Sequence, residues 1–109
     1  MKKTDDTPRW HTMRTEESKL VEKVLKEAGF EQVDAYRYNS ASIRVRVVDS
    51  RFENLSQEKR DGMVEKHLKK LPREIQADII MLLTLAPSEL RDLTNWLNAE
   101  FEDPSPSNL

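Results

Sequence analysis

The sequence predicts an α+β domain of order α-β-β-α-β-α, with a three-stranded mixed sheet covered by helices. Three observations predict it. A helical apolar repeat ends at Gly29, two runs of period-two alternation flank Asn39-Ser40, and seven apolar or near-apolar residues at 79–85 precede Pro87. A chain of 109 residues holds one domain and one modest core, because it buries roughly two-thirds of its unfolded surface. The expected organisation is a flexible arm at 1–14, a single domain at 15–102 and a disordered tail at 103–109, the tail reading Asp-Pro-Ser-Pro-Ser-Asn-Leu.

The first helix is expected over about 16–28. Thr15 caps it, Glu16 and Glu17 favour its positive end, and Leu20, Val21, Val24, Leu25 and Ala28 recur on one face before the Gly29 stop, with Phe30 packing back. In the arm, Trp10 or Met13 is the residue able to pin the chain to the domain. The hairpin follows at 32–38 and 41–48. Val33 and Ala35 alternate with Asp34 and Tyr36, and Ile43, Val45 and Val47 with Arg44 and Arg46, so Arg44 and Arg46 are expected on a solvated sheet face.

After a loop at 49–55, Ser56 caps a helix of about 16 residues that Pro72 stops. Met63, Val64, His67, Leu68 and Leu71 form its buried stripe, and Gly62 costs it about 1 kcal/mol relative to alanine. Length assigns 79–85 to a strand parallel to the second, through a crossover. Pro87 then opens an amphipathic helix with Leu90, Leu93, Leu97 and Phe101 on one side, flanked by Trp96.

Composition excludes several classes of chemistry. With no Cys, the chain alone forms no disulfide, thiolate zinc site or Cys-bound cluster. Two glycines are too few for a glycine-rich phosphate loop, and the Gly-x-x-Gly clamp is missing. His11 and His67 stand beside no nucleophile-base or metal-ligand partner at motif spacing, so no enzyme site is read. A carboxylate site built from Glu53, Asp61 or Asp78 would need the fold to bring them together. No apolar stretch approaches the ~20 residues that span a bilayer. The expectation is a soluble cytoplasmic protein without membrane association, a monomer or weak dimer, and no resident cofactor.

Charge is uneven. The net charge is −2, yet residues 37–73 hold ten basic and five acidic residues, and residues 88–109 hold one Arg against five acids. Arg44, Arg46 and Arg51 with Arg37 suggest a guanidinium patch for phosphate or carboxylate. Lys66, Lys69, Lys70 and Arg73 gather where a helix end favours cations. A basic centre fits nucleic acid or an acidic protein surface.

The element order resembles the second type of KH-like fold, and 42–90 resembles the BolA-like family of small stress-response regulators. The matching residues are Ile43-Arg44-Val45-Arg46-Val47-Val48, Arg51-Phe52-Glu53, Arg60, Met63-Val64 and Pro87-Ser88-Glu89-Leu90. The resemblance implies a non-enzymatic regulator that docks through its second helix, third strand and basic loop on a partner such as a monothiol glutaredoxin. The charge pattern, with Arg60 of the matched motif, gives the expected residues for binding a partner or nucleic acid: Arg44, Arg46, Arg51, Arg60, Lys66 and Lys70. The alternative it implies is a nucleic-acid-binding transcriptional regulator using the basic strand face.

Two departures stand out. The family's Arg-His-Arg-like trio is Arg60-Asp61-Gly62 here. Its strand-leading His, which helps ligate a [2Fe–2S] cluster shared with the partner, falls at Asp78, or at Ala77 with one residue of slack. A carboxylate is a hard donor and a poor replacement for imidazole on such a cluster.

Overall fold

The computed structural model describes residues 8–108. Along it run helix α1 (Glu16–Glu27), strands β1 (Gln32–Asn39) and β2 (Ser42–Val48), helices α2 (Gln57–Leu68) and α3 (Arg73–Asp78), strand β3 (Ile79–Leu85) and helix α4 (Trp96–Glu102). Short 3-10 turns occupy Arg9–Met13, Ser50–Phe52 and Pro87–Arg91. The sheet order is β1-β2-β3, with β1 antiparallel and β3 parallel to β2. This is the expected mixed sheet, with one helix more than the sequence announces.

Local chemistry explains the elements that were legible. Thr15 and Ser18 satisfy each other's backbone amides at the start of α1. At its end Gly29 takes φ 101°, which lets the Phe30 amide reach the Leu25 carbonyl at 3.3 Å. The Ser56 hydroxyl accepts from the Lys59 amide and caps α2.

Three sequence expectations are corrected. The second helix does not run to Leu71: it ends at Leu68, and a two-residue turn leads to Pro72 and α3. The residue before a proline is pushed out of helical conformation. The side-chain amide of Gln76 donates to the freed carbonyl of Leu71 at 2.6 Å, so Leu71 stays buried without being helical. The Pro87-led helix is also broken. Asp92 accepts from the amide and hydroxyl of Thr94, Asn95 caps a new helix through the Asn98 amide, and the intervening Leu93 is 97% exposed.

The third correction concerns the sheet's second face, which is not solvated. On the first face α1, α2 and α3 cover Val33, Ala35, Ile43, Val45 and Val47. On the second, Trp10, Tyr36, Val48, Leu83, Leu85 and Phe101 form a separate buried cluster. Trp10 Nε1 donates to Glu102 at 2.8 Å, and Tyr36 Oη donates to the Phe101 carbonyl at 3.0 Å. Residues 8–13 of the expected flexible arm thus belong to the domain, pinned by Trp10, while residues 1–7 and 109 lie outside the described residues. The tail from 103 to 108 forms no helix or strand. It is held along β1, where Tyr38 Oη donates to the Ser105 carbonyl at 2.6 Å and Asn39 Nδ2 to Ser107 Oγ at 2.9 Å.

Candidate functional site

The six contact cations expected from sequence divide into two groups. Arg44, Arg46 and Arg60 are consumed inside the molecule. Arg46 is 3% exposed; it donates to Asp34 at 2.8 Å and to Asn98 at 2.8 Å, and pairs with Glu102 at 3.1 Å. Arg44 lies over the Tyr38 ring, donates to Tyr36 Oη and pairs with Glu100 at 2.8 Å. Arg44 and Arg46 therefore offer no free guanidinium face to phosphate. The acidic residues that neutralise them, Glu100 and Glu102, sit on α4.

Arg60 forms a two-pronged pair with Glu89 at 2.6 and 3.0 Å and donates to the carbonyls of Leu55 and Thr84. The Arg60 hydrogen bonds hold the Glu89 carboxyl below the usual carboxylate range. This arginine buckles α2 to the turn after β3.

Arg51, Lys66 and Lys70 form the second group. They converge at the C-terminal end of α2. Arg51 is braced by the fully buried Asp49 at 2.9 and 3.0 Å. Its guanidinium lies 5.0 Å from the centroid of the Phe30 ring, while His67 meets the same ring edge-on at 5.8 Å. Burial first, then the positive charges of Lys70, Lys66 and Arg51, hold His67 below the usual imidazole range. Lys66, Lys69, Lys70 and Arg73 are exposed, and none has an ion pair among the described residues.

Beside this cluster a groove of about 470 Å³ runs between α2, α3 and β3, lined by Leu68, Ile79, Ile80 and Leu82 with Glu65, Lys69 and Gln76 at its sides. Sequence reading missed the groove because it depends on the α2–α3 turn. Pro72 followed by Gln76 was the signal that pointed to that turn.

Asp78 does not join the cluster. Its carboxylate pairs with Arg37 at 3.1 Å, and Arg37 also pairs with Glu17 and donates to the carbonyls of Asn39 and Ser40. A hard carboxylate already committed to a guanidinium does not fit the role of a cluster ligand. His67, against Phe30, does not replace it. Among the described residues no group of three or more His, Cys, Asp or Glu side chains is arranged to hold a metal ion. The other candidate carboxylates are tied into the fold near Arg60: Glu53 accepts from Ser88, and Asp61 from Thr84 and Gln57. His11 is exposed, tilted against Trp10. No helix among the described residues is long and apolar enough to cross a membrane.

No family model matches the chain, and no curated protein does. Among solved structures, the chain is similar to the solution structure of mouse BolA1 protein, with a TM-score of 0.57 and 20% identity, over 100% of this chain and 87% of that one. Likeness along the whole chain, joined to the mixed three-stranded sheet and its α-β-β-α-α-β-α order, leads to one conclusion: this protein has the BolA-like fold.

Proposed function

We propose that this protein is a non-enzymatic, cytoplasmic regulator or adaptor of the BolA kind that docks a protein partner on the face made by α2, α3 and β3. One observation carries the reading. Four exposed cations with no ion pair among the described residues, Lys66, Lys69, Lys70 and Arg73, stand beside an apolar groove of about 470 Å³, whereas the arginines of the sheet are neutralised internally. An apolar centre with a charged rim suits a transient protein interface, the rim setting orientation and association rate.

A monothiol glutaredoxin is the partner to test, by calorimetric titration of the full chain at micromolar concentration. Binding is expected, weakened about tenfold by Lys66→Glu together with Lys70→Glu and by raised salt. No complex at micromolar concentration overturns this partner. When iron and sulfide are supplied, the complex is expected to show no [2Fe–2S] absorption that depends on Asp78. Bands lost in Asp78→Ala would overturn the view of Asp78 as a structural ion-pair residue.

A second reading draws on the convergence of Arg51, Lys66 and Lys70 around His67: these cations contact a nucleic-acid backbone. In that case log affinity falls linearly with log salt, and Lys70→Ala weakens all sequences alike. Binding indifferent to salt removes this reading.

A further inference from the structure

The two edges of the sheet are finished differently. β1 carries Asp34 and Arg37, its Ala35 amide donates to the Glu22 carboxylate at 2.9 Å, and the side chains of Tyr38 and Asn39 hold the tail at Ser105 and Ser107. β3 reads Ile-Ile-Met-Leu-Leu-Thr-Leu without a charge and, among the described residues, pairs with no strand on its outer side. Proteins ordinarily blunt a sheet edge with lysine, proline or a covering segment, because uncharged edges of this composition accept any strand presented to them.

The backbone shows which groups are free. The Asp49 amide donates to the Leu85 carbonyl, which turns Leu85, Leu83 and Met81 toward β2. The alternation of a strand then turns Leu82 and Thr84 outward. Arg60 occupies the Thr84 carbonyl, and among the described residues Leu82 keeps both its main-chain groups open. At the strand's start, Ile79 and Met81 face the consecutive residues Ile43 and Arg44, so Ile80 is the extra residue of a bulge. Its side chain is 67% exposed, beside the groove whose floor includes Leu68 and Leu82.

We propose that β3 pairs edge to edge with β3 of a second copy of this chain, antiparallel about a two-fold axis beside Met81. Ile80 and Leu82 of each copy then exchange main-chain hydrogen bonds, making a six-stranded sheet and closing the two grooves against each other. Two features of the edge select a second copy. A strand run antiparallel to itself is self-complementary. The groove walls also hold one acid and one base, Glu65 and Lys69, so a two-fold axis brings opposite charges into opposition. A contact limited to one strand and one groove lies at the small end of interface sizes, so the dimer is weak and concentration-dependent.

Sedimentation of the full chain without any partner, from about 10 μM to 1 mM, tests this. The mass is expected to rise toward that of two chains, and Ile80→Lys is expected to remain monomeric at tenfold higher concentration than the parent. Ile80 is mostly exposed, so the variant keeps its core, which circular dichroism verifies. Leu93→Lys, at the 97% exposed loop residue, is expected to associate like the parent. Amide exchange at Leu82 should slow at least tenfold across the same range. A parent monomeric throughout, Ile80→Lys associating unchanged, or loss of association only in Leu93→Lys would each overturn the proposal. The dimer closes the groove proposed for glutaredoxin, so the two readings are kept apart by sedimenting the chain without glutaredoxin and by titrating glutaredoxin at micromolar concentration, below the range where the chain pairs with itself.

Discussion

Replacing Arg46 with alanine tests whether the second sheet face is a closed core or a binding surface. Arg46 is 3% exposed; its guanidinium donates to Asp34 at 3.2 and 2.8 Å and to Asn98 at 2.8 Å, pairs with Glu102 at 3.1 Å and lies 4.5 Å from the Phe101 ring centroid. Breaking a buried ion pair from one side costs about 3–5 kcal/mol, since the remaining charge stays desolvated. The Glu102 side chain is 39% exposed and that of Asp34 16%. Water recovers part of that loss and lowers the figure to about 2–4 kcal/mol. For a domain of this size, that corresponds to a fall in Tm of about 10–25 °C. Urea unfolding followed by circular dichroism should show the midpoint moving at constant slope. A cycle with Asp34→Ala should show coupling of at least about 1 kcal/mol. Stability unchanged within about 0.5 kcal/mol, together with lost nucleic-acid binding, would mean that the arginine faces outward, and would refute the reasoning.

Three further outcomes are expected. The amide and hydroxyl of Ser105, followed by Arg44, hold the Glu100 carboxyl at about 2. Its contribution to stability is therefore complete above the unfolded value of 4.5 and is lost as the pH falls from there through about 2. Allowing for partial solvation it amounts to about 1–2 kcal/mol, and Glu100→Gln should flatten that limb of an acid titration. Gly62→Ala should stabilise the domain by about 0.5–1 kcal/mol in chemical unfolding, because an added Cβ meets nothing within 4 Å and alanine favours the helix. Gly29→Ala should destabilise it by about 1 kcal/mol or more, since φ 101° strains any residue with a Cβ.

What the sequence made legible was local. Thr15 with Gly29 bounds α1, the alternation on either side of Asn39-Ser40 sets the hairpin register, and the apolar run at 79–85 is the strand it was expected to be. The second sheet face was illegible because its partners are remote. Arg44 and Arg46 alternate like solvent-facing residues, and only the fold brings Glu100 and Glu102, more than fifty positions away, onto them. The break in the last helix was written in Asp92 and Asn95, each a capping residue, but the leucine spacing across them imitates a continuous helix. Of the expected contact set, Arg51, Lys66 and Lys70 come together, since helical spacing already places Lys66 and Lys70 on one face. Arg60 could not be assigned from sequence because its partner, Glu89, lies beyond a strand.

The clasp between the ends, Arg9 with Asp103 and Trp10 with Glu102, has a consequence for biosynthesis. Phe101 is translated after all three strands, yet it fills the centre of the cluster that shields Tyr36. A ribosome-bound chain stalled before residue 96 has every strand available for pairing, and half of its sheet is still wet. Completion of the domain is thus deferred until α4 has emerged, and a chain truncated before that helix is an open-faced species for proteases and chaperones to find.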